Sequence, residues 1–456
     1  MSIQASPSTE AIVSKADSTR DAYLAKLLQQ CQKLQLQVLE PELAVLVQTL
    51  RDRASSGIDQ LHIPTRKDEE WRFTDLSPLL QVDFQAPTPI KLAASAIETI
   101  PEAALRLVFV NGTYAPQLSA TDELPEGVVV TNLAQLPVTH RSQVGNYLAK
   151  SEGVEDVFTV LNTSGLTDAA VVWVARNVSI ETPIHLLFIS AGEHTLSQPR
   201  CLVVAESGSS VTVVEEYTNH RGAEGAKEEE KEVYFANSVT EIVLEENAQV
   251  RHHRIQRESG AAVHIGKTAV VQGRDSRYSC NAITVGARLS RHNLETLQTG
   301  EQTETTLNGL TAIAREQLAD THSAIAYTKP YGTSHQLHKC IVDGKAQAIF
   351  NGKIFVPQAA QQTNAQQLNR NLLLSPKARV DTKPQLEITA DNVKCSHGAT
   401  VSQLEPEEVF YLQSRGLSQA DARNLLIDAF AAEIIQQIPV SSLRETLTKY
   451  VAKMSK

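Results

Sequence analysis

Hydrophobic and polar residues alternate with period two over nearly half of the chain. From about Ala169 the sequence consists of short runs rich in β-branched residues, separated by turn-like segments. Period two is typical of β-strands, because successive side chains of a strand point to opposite faces. No clear amphipathic helix lies between these runs, which argues against a doubly wound fold with crossover helices. The runs are AVVWVARNVSI, CLVVAESGSSVTVVEEY, VTEIVLEENAQVRHHRI, AAVHIGKTAVVQG and KAQAIFNGKIFV.

This strand pattern continues to about residue 390 and is compatible with a large β-sandwich or a solenoid. Aromatic residues make up only 5% of the chain, and thin layers of Val, Ile, Leu and Ala suit repeated coils better than one bulky core. The repeat is degenerate and its period irregular. Five turn-like segments each precede another strand, at residues 207–210, 245–248, 273–276, 343–346 and 375–378.

Helical periodicity precedes the strand region. A first helix is predicted to begin at a cap on Ser18 or Thr19, and a second near residue 40, with Pro41 in its first turn. The charged segment 63–80 contains two prolines and the anchor Trp71. We expect it to be irregular and docked onto the rest of the protein.

Helical periodicity also follows the strand region, from Leu404. Acidic residues begin the first of these helices, and Arg415 with Gly416 is predicted to end it. Two further helices are predicted to start at capping boxes, which pair Ser418 with Asp421 and Ser442 with Glu445. The patterns therefore predict an N-terminal helical and mixed subdomain (1–165), a β core (166–400) and a C-terminal helical subdomain (401–456).

Composition and charge indicate which classes of partner to expect and in which cellular compartment the protein works. The 42 Lys and Arg residues against 52 Asp and Glu residues give a net charge of -10, so nucleic acid and anionic membranes are not expected partners. No stretch approaches the roughly 18 apolar residues of a membrane span, and the N-terminus lacks the apolar run of a signal peptide. We therefore expect a cytoplasmic protein with reduced thiols. Its five cysteines are Cys31, Cys201, Cys280, Cys340 and Cys395.

Residues 260–268, GAAVHIGKT, resemble a phosphate-binding loop without matching it. Five residues separate the glycines, where the Walker A motif has four. The following AVVQG is typical of a strand, whereas the motif requires a helix N-terminus. We therefore expect no nucleotide site here.

Three groups of Cys and His residues are candidate metal ligands. In SHQLHKC, a strand would place His338 and Cys340 on one face and His335 on the other, and two donors do not complete a tetrahedral zinc site. His252 and His253 are adjacent on a predicted strand and therefore face opposite ways.

The third group is the Cys395-x-His397 pair in DNVKCSHGAT. A strand would present its thiol and imidazole on one face, and its polar flank favours exposure. Thiolate and imidazole suit zinc, copper or iron-sulfur chemistry. From the residues alone, a packed cysteine beside a surface histidine is the favoured interpretation.

Three long segments resemble one family. Residues 385–430, which contain KCSHGAT, are similar to the signature of the SufB/SufD family of the Suf iron-sulfur cluster assembly machinery. Residues 344–388 resemble the part that both branches share, and residues 64–79 resemble the family's N-terminal segment, whereas residues 80–165 carry little resemblance. KCSHGAT favours the SufD branch, because SufB-type chains have an HEA-type segment at this place.

The resemblance implies a right-handed parallel β-helix flanked by helical subdomains, acting as a non-catalytic scaffold. It implies pairing with a SufB-type paralogue through the β-helix, docking of a SufC-type ATPase on the C-terminal helices, and no nucleotide bound by this chain. It also places Cys395 and His397 at the interface with the paralogue, where a transient iron-sulfur cluster forms, and leaves a homodimer possible for the isolated chain. The family's ATPase-docking region corresponds here to Phe410, Tyr411, Leu412, Arg415 and Gly416.

Two alternatives stay open at this stage. One is a self-sufficient, SufB-like cluster scaffold. The other is a β-helix enzyme that acts on polysaccharide, which would need carboxylates converging on one sheet face. No strand offers an obvious carboxylate pair of that kind.

Overall fold

The β core is a parallel solenoid of about 8 turns, with helices before and after it. The computed structural model describes residues 9–36, 40–122, 124–150, 156–220 and 232–454. The strands form two sheets, in the orders β2-β1-β5-β8-β10-β12-β14-β16-β18-β20 and β19-β17-β15-β13-β11-β9-β7-β4-β3. Their bounds are β1 (Leu105–Val110), β2 (Thr113–Tyr114), β3 (Val128–Asn132), β4 (Ala170–Val174), β5 (Ile184–Ser190), β6 (Thr195–Ser197), β7 (Arg200–Ala205), β8 (Ser210–Asn219), β9 (Tyr234–Leu244), β10 (Gln249–Glu258), β11 (Val263–Gln272), β12 (Arg277–Gly286), β13 (Leu289–Gln298), β14 (Glu304–Ile313), β15 (Leu318–Tyr327), β16 (Thr333–Val342), β17 (Gln347–Val356), β18 (Asn364–Leu373), β19 (Arg379–Ile388) and β20 (Lys394–Gln403).

Eight α-helices lie in the described residues, and the first five and the last two contribute buried apolar side chains to clusters on the outside of the sheets. The first two bring Leu27 and Val47 onto the outer face of the second sheet. The last two bring Ile434 and Leu447 onto the outer face of the first sheet, against Ile255 and its neighbours. The helices are α1 (Thr9–Lys33), α2 (Pro41–Gly57), α3 (Ser77–Leu80), α4 (Val138–Val144), α5 (Val157–Ser164), α6 (Pro406–Ser414), α7 (Gln419–Ile435) and α8 (Ser441–Met454).

Residues of successive coils stack in columns, because each strand pairs in parallel and in register with the strand one turn later. The side chains of alternate residues point into the space between the sheets, which we call the lumen. Val, Ile and Leu fill much of this lumen, as the period-two pattern predicts. One column of the first sheet runs through Val250, Tyr278, Thr305, Ser334, Ala365 and Cys395.

Residues in the left-handed conformation hold one row of turns together. Asn247 and Asp275 both have positive φ, and each donates its backbone N–H to a carbonyl of the next coil, at 2.8 and 2.9 Å. Gln302, Tyr331 and Gln362 repeat this arrangement. These positions lie 27 to 31 residues apart, which explains why the sequence shows a repeat without a fixed period.

The irregular segment 63–80 docks on the outer face of the second sheet, which confirms the prediction from its composition. Trp71 is buried, and the Arg291 guanidinium lies 3.8 Å from the centre of its ring. Thr74 donates to the buried Asp320 at 2.5 Å. These contacts tie the N-terminal part of the chain to strands β13 and β15.

Three local predictions need correction. Helix α1 begins at Thr9, earlier than the predicted cap at Ser18 or Thr19. The strands continue past residue 390, to the end of β20 at Gln403. At the start of α8, Ser442 binds the carboxylate of Glu102 in place of Glu445, because the chain segment before β1 crosses this helix end.

Other terminal features agree with the sequence. Ser418 caps α7 by accepting the Asp421 backbone N–H at 3.1 Å, and Gly416 ends the α6 turn with a φ of 97°. The division into units at residues 165 and 400 stays a prediction. Among the described residues, no helix combines the length and apolar character needed to cross a membrane.

Candidate functional site

Cys395 and His397 lie on β20, the last strand of the solenoid. Their backbone partners on β18 are Ala365 and Gln367, both of which are buried in the lumen. The two side chains therefore share the lumen face of the strand, as the i, i+2 spacing predicts. Cys395 is half-buried against the core, whereas His397 is exposed.

The coil that carries this pair is the uncovered end of the solenoid. Strand β19 terminates one sheet and β20 terminates the other. Neither strand contains a buried residue, although strands in the preceding coils are mostly buried. Apolar side chains that would face the next coil are consequently exposed, including Ile388 at 37% and Val401 at 52%. In the described part of the chain, nothing pairs with the outer edge of either strand.

Burial raises the pKa of the Cys395 thiol above its ordinary value, and a backbone hydrogen bond from the β18 side opposes that shift only in part. The thiol is therefore the resting form of this side chain in the isolated chain. Metal ions bind the thiolate, so loading this site must release a proton.

Polar side chains line the lumen directly beneath the pair. Tyr327 donates its hydroxyl to Ser334 at 2.7 Å in the column that ends at Cys395. In the column that ends at His397, Gln367 donates to Gln336 at 2.8 Å. The end of the lumen is therefore polar where the candidate ligands lie.

The structure places the other candidate ligands elsewhere. His338 and Cys340 point into the lumen, where burial raises the pKa of the Cys340 thiol to about 12, and His335 is exposed on the outer face. His252 faces the lumen and His253 faces outward. Within the described ranges, no group of three or more His, Cys, Asp and Glu side chains has an arrangement that could hold a metal ion.

The segment that resembles a phosphate-binding loop lies on β11. Lys267 contacts Glu295 at 3.0 Å on the outer face of the sheet, and the residues after it continue the strand as predicted. All five cysteines are free thiols, and all except Cys395 are buried.

The predicted docking residues lie at the end of α6. Phe410 and Tyr411 are 71% and 58% exposed, and Arg415 lies over the Tyr411 ring at 5.3 Å. Leu412 is half-buried, and Gly416 forms the helix cap. The helix therefore presents two adjacent aromatic side chains to solvent.

Sequence reasoning missed a charged group inside the lumen. Glu215 accepts a hydrogen bond from His252 at 2.8 Å, and Glu258 contacts His264 at 2.7 Å. The available signal was the alternation of Glu215 with Tyr217 and of His252 with Arg254 on their strands. Polar residues at alternate positions are ordinarily expected on a solvent face, so the period alone did not indicate that these side chains lie in the lumen.

Comparison with known proteins is consistent with this architecture along most of the chain. The family described as "SUF system FeS cluster assembly, SufBD core domain" matches residues 188–430, and the "SufBD protein N-terminal region" matches residues 21–186. An iron-sulfur cluster assembly SufBD family protein of Synechocystis sp. is 50% identical over 428 residues, which are 93% of this chain and 94% of that protein.

Two further relatives also match most of the chain. The chloroplastic protein ABCI7 of Arabidopsis thaliana is 34% identical over 90% of this chain and 86% of its own length. The iron-sulfur cluster assembly protein SufD of Escherichia coli is 33% identical over 84% of this chain and 87% of its own length. The chain therefore belongs to the SufBD family of the SUF system, and its role lies in iron-sulfur cluster assembly.

Proposed function

We propose that this chain is a non-catalytic scaffold subunit of a cytoplasmic cluster-assembly complex. It pairs with a SufB-type paralogue through the open end of the solenoid and docks a SufC-type ATPase through its C-terminal helices. Cys395 and His397 assist the formation of a transient iron-sulfur cluster, the cargo of the complex, at the interface with the paralogue. In the absence of that partner, the same open end supports a homodimer.

The observation that carries this proposal is the position of Cys395 and His397 in the last coil, whose outer edge no strand of the described residues covers. The four other cysteines are buried and cannot reach a second chain without local unfolding. A thiol and an imidazole on the same strand face supply two donors. A cluster has more ligand positions than two, so the remaining ligands must come from the chain that covers the end.

The open end itself favours a β-rich partner. Exposed strand edges present unpaired backbone groups, and proteins ordinarily protect such edges. Here β19 and β20 each contribute 10 residues of edge, flanked by exposed Ile388 and Val401. A second solenoid of the same family offers edges of the same kind, so pairing would satisfy the backbone groups and bury the apolar side chains together.

In this proposal Cys395 and His397 bind and release the cluster and do not catalyse a reaction. Loss of the thiol proton on metal binding gives a thiolate, and the neutral imidazole is a second ligand. Two ligands from one chain and the rest from another allow the cluster to leave when the interface opens. The energy for that opening comes from the ATPase, which binds its nucleotide on a separate chain.

The site is tested by the double variant Cys395→Ala with His397→Ala in the co-expressed complex. The expected result is a complex of unchanged mass that contains little iron and sulfide and lacks the visible absorption of a cluster under anaerobic conditions. The matched control is Lys394→Ala with Ser396→Ala, which truncates the exposed outer face of the same strand. Normal cluster content in the first variant would refute the site.

The docking surface is tested separately with Phe410→Ala and Tyr411→Ala combined. We expect the ATPase to be lost from the purified complex while the SufB-type chain stays bound. Leu425→Ala, which truncates an exposed leucine on α7, is the control. Retention of the ATPase by the aromatic variant, or cluster assembly by this chain alone, would contradict the proposed division of roles.

A further inference from the structure

A column of hydrogen-bonded side chains runs through the lumen and ends beneath His397. Gln336 donates from Nε2 to Ser323 Oγ at 2.7 Å, and Gln367 donates from Nε2 to Gln336 Oε1 at 2.8 Å. Both amides are buried, and only 3% of Gln367 is exposed. The column thereby uses the donor of Gln367, the amide Nε2, and does not use its acceptor, the amide oxygen Oε1.

The acceptor end of Gln367 has no partner. Its Oε1 is fully buried and makes no hydrogen bond in the structure. A buried acceptor without a donor costs about 1–3 kcal/mol, so a donor supplied by the last coil would stabilise this oxygen. The next residue of this column is His397, which pairs with Gln367 through the backbone of the neighbouring strand.

On the opposite sheet, a glycine leaves space for the same amide. A Cβ at Gly352, on β17, would lie 2.0 Å from Gln367 Nε2. Glycine at this position therefore leaves the room that the amide occupies. Two independent features, the hydrogen-bonded column and this glycine, hold Gln367 in one orientation.

We propose that Gln367 is a positioning residue for His397: its free Oε1 accepts the N–H of one ring nitrogen and so selects the tautomer whose other nitrogen faces the interface. Adjacent strands lie about 4.8 Å apart, and both side chains share the lumen face, so an inward-turned imidazole reaches the amide. Ligand histidines ordinarily donate their second N–H to such an acceptor, which fixes the ring and its tautomer. The inference rests on the proposed role of His397 as a ligand.

Gln367→Met tests the contact, because methionine is of similar length and lacks the acceptor. The readout is the pair of ring-nitrogen chemical shifts of His397 in the full chain, labelled with 15N-histidine and measured under alkaline conditions where the ring is neutral. His397→Gln assigns the signal. We expect one dominant tautomer in the parent chain and a mixture in Gln367→Met.

Three further variants separate positioning from general damage. Gln367→Glu keeps an acceptor and should restore one tautomer, whereas Gly352→Ala should displace the amide and give the mixture. Gln366→Met changes the same residue type on the exposed outer face of β18 and should leave the tautomer unchanged. In the co-expressed complex, Gln367→Met should slow cluster assembly about 10-fold or more, and Gln367→Glu should recover most of it.

The outcomes distinguish this inference from the function on which it rests. A single tautomer that persists in Gln367→Met, or an equal effect of Gln366→Met, would overturn the positioning role even if Cys395 and His397 are essential. If His397→Ala leaves cluster assembly intact while Gln367→Met still changes the tautomer, the ligand role fails and the contact stands.

Discussion

The buried ion pair between Arg257 and Glu216 gives the sharpest test of how the solenoid is held to its helices. Arg257 donates from Nε and Nη2 to Glu216 Oε1, at 3.0 and 2.5 Å. It also contacts Glu98 at 2.8 Å and lies over the Tyr450 ring of α8 at 5.4 Å. One guanidinium therefore connects the first sheet, the segment before β1 and the C-terminal helices.

Replacing Arg257 by methionine keeps most of the side-chain volume and removes the charge. Burial alone raises the pKa of Glu216, but His185 and Arg257 outweigh it and lower that pKa to about 2. Without Arg257, an ionised and nearly inaccessible carboxylate keeps only His185, at 3.1 Å. Loss of one partner of a buried pair costs about 3–5 kcal/mol, a large part of the roughly 5–15 kcal/mol that stabilises most proteins.

Urea unfolding followed by circular dichroism measures this loss as a change in the free energy of unfolding. The matched control is Arg274→Met, which breaks another pair between Arg and Glu on neighbouring coils, Arg274 with Glu246, whose side chains are 55% and 54% exposed. Arg257→Met should be strongly destabilised and the control unchanged. The combined variant Arg257→Met with Glu216→Leu should recover much of the stability, because no charge remains buried. Equal stability of the two single variants would refute this reasoning.

Two further predictions concern the lumen. Burial alone would lower the pKa of His252, but a neighbouring thiol and Glu215 raise it to about 9, and the pKa of Glu215 is lowered to about 2 despite its burial. The stabilisation that this pair contributes should therefore be complete between about pH 4.5 and 6.5 and should fall as the pH rises toward 9. Thermal unfolding measured against pH should show this alkaline decline, and His252→Gln should flatten it. A Cβ at Gly309 would lie 2.1 Å from the His338 ring, so Gly309→Ala should cost about 1–3 kcal/mol in urea unfolding, whereas Gly57→Ala, which has open space, should cost nothing.

Local patterns predicted those parts of the fold that depend on neighbours in the sequence. The i, i+2 spacing of Cys395 and His397 was sufficient to place both side chains on one face, because strand geometry alone decides it. Gly416 and Ser418 likewise follow from the backbone needs of a helix end. Each of these features uses residues only a few positions apart.

Contacts between residues far apart in the sequence could not be predicted from such local patterns. Glu102 caps a helix that begins 339 residues later, and no local rule names that partner. The charged group in the lumen was missed for a related reason, since period two identifies the two faces of a strand but not which face is covered. The proposed role of Gln367 could not be predicted from its sequence neighbours, because it depends on residues of the two coils beside it.

The open end follows from where the C-terminal helices go. In a solenoid each coil covers the one before it, so the last coil needs a cap or a partner. The chain leaves β20 at Gln403 and could have laid α6 across that end. Instead α7 and α8 pack on the outer face of the first sheet, where Ile434 and Leu447 join a cluster with Ile255. In the described part of the chain, α7 and α8 thus do not cover the end, and the coil that carries Cys395 and His397 stays open, as the proposed pairing with a second chain requires. The proposed scaffold function needs this arrangement, because a permanently capped end would bury the proposed site.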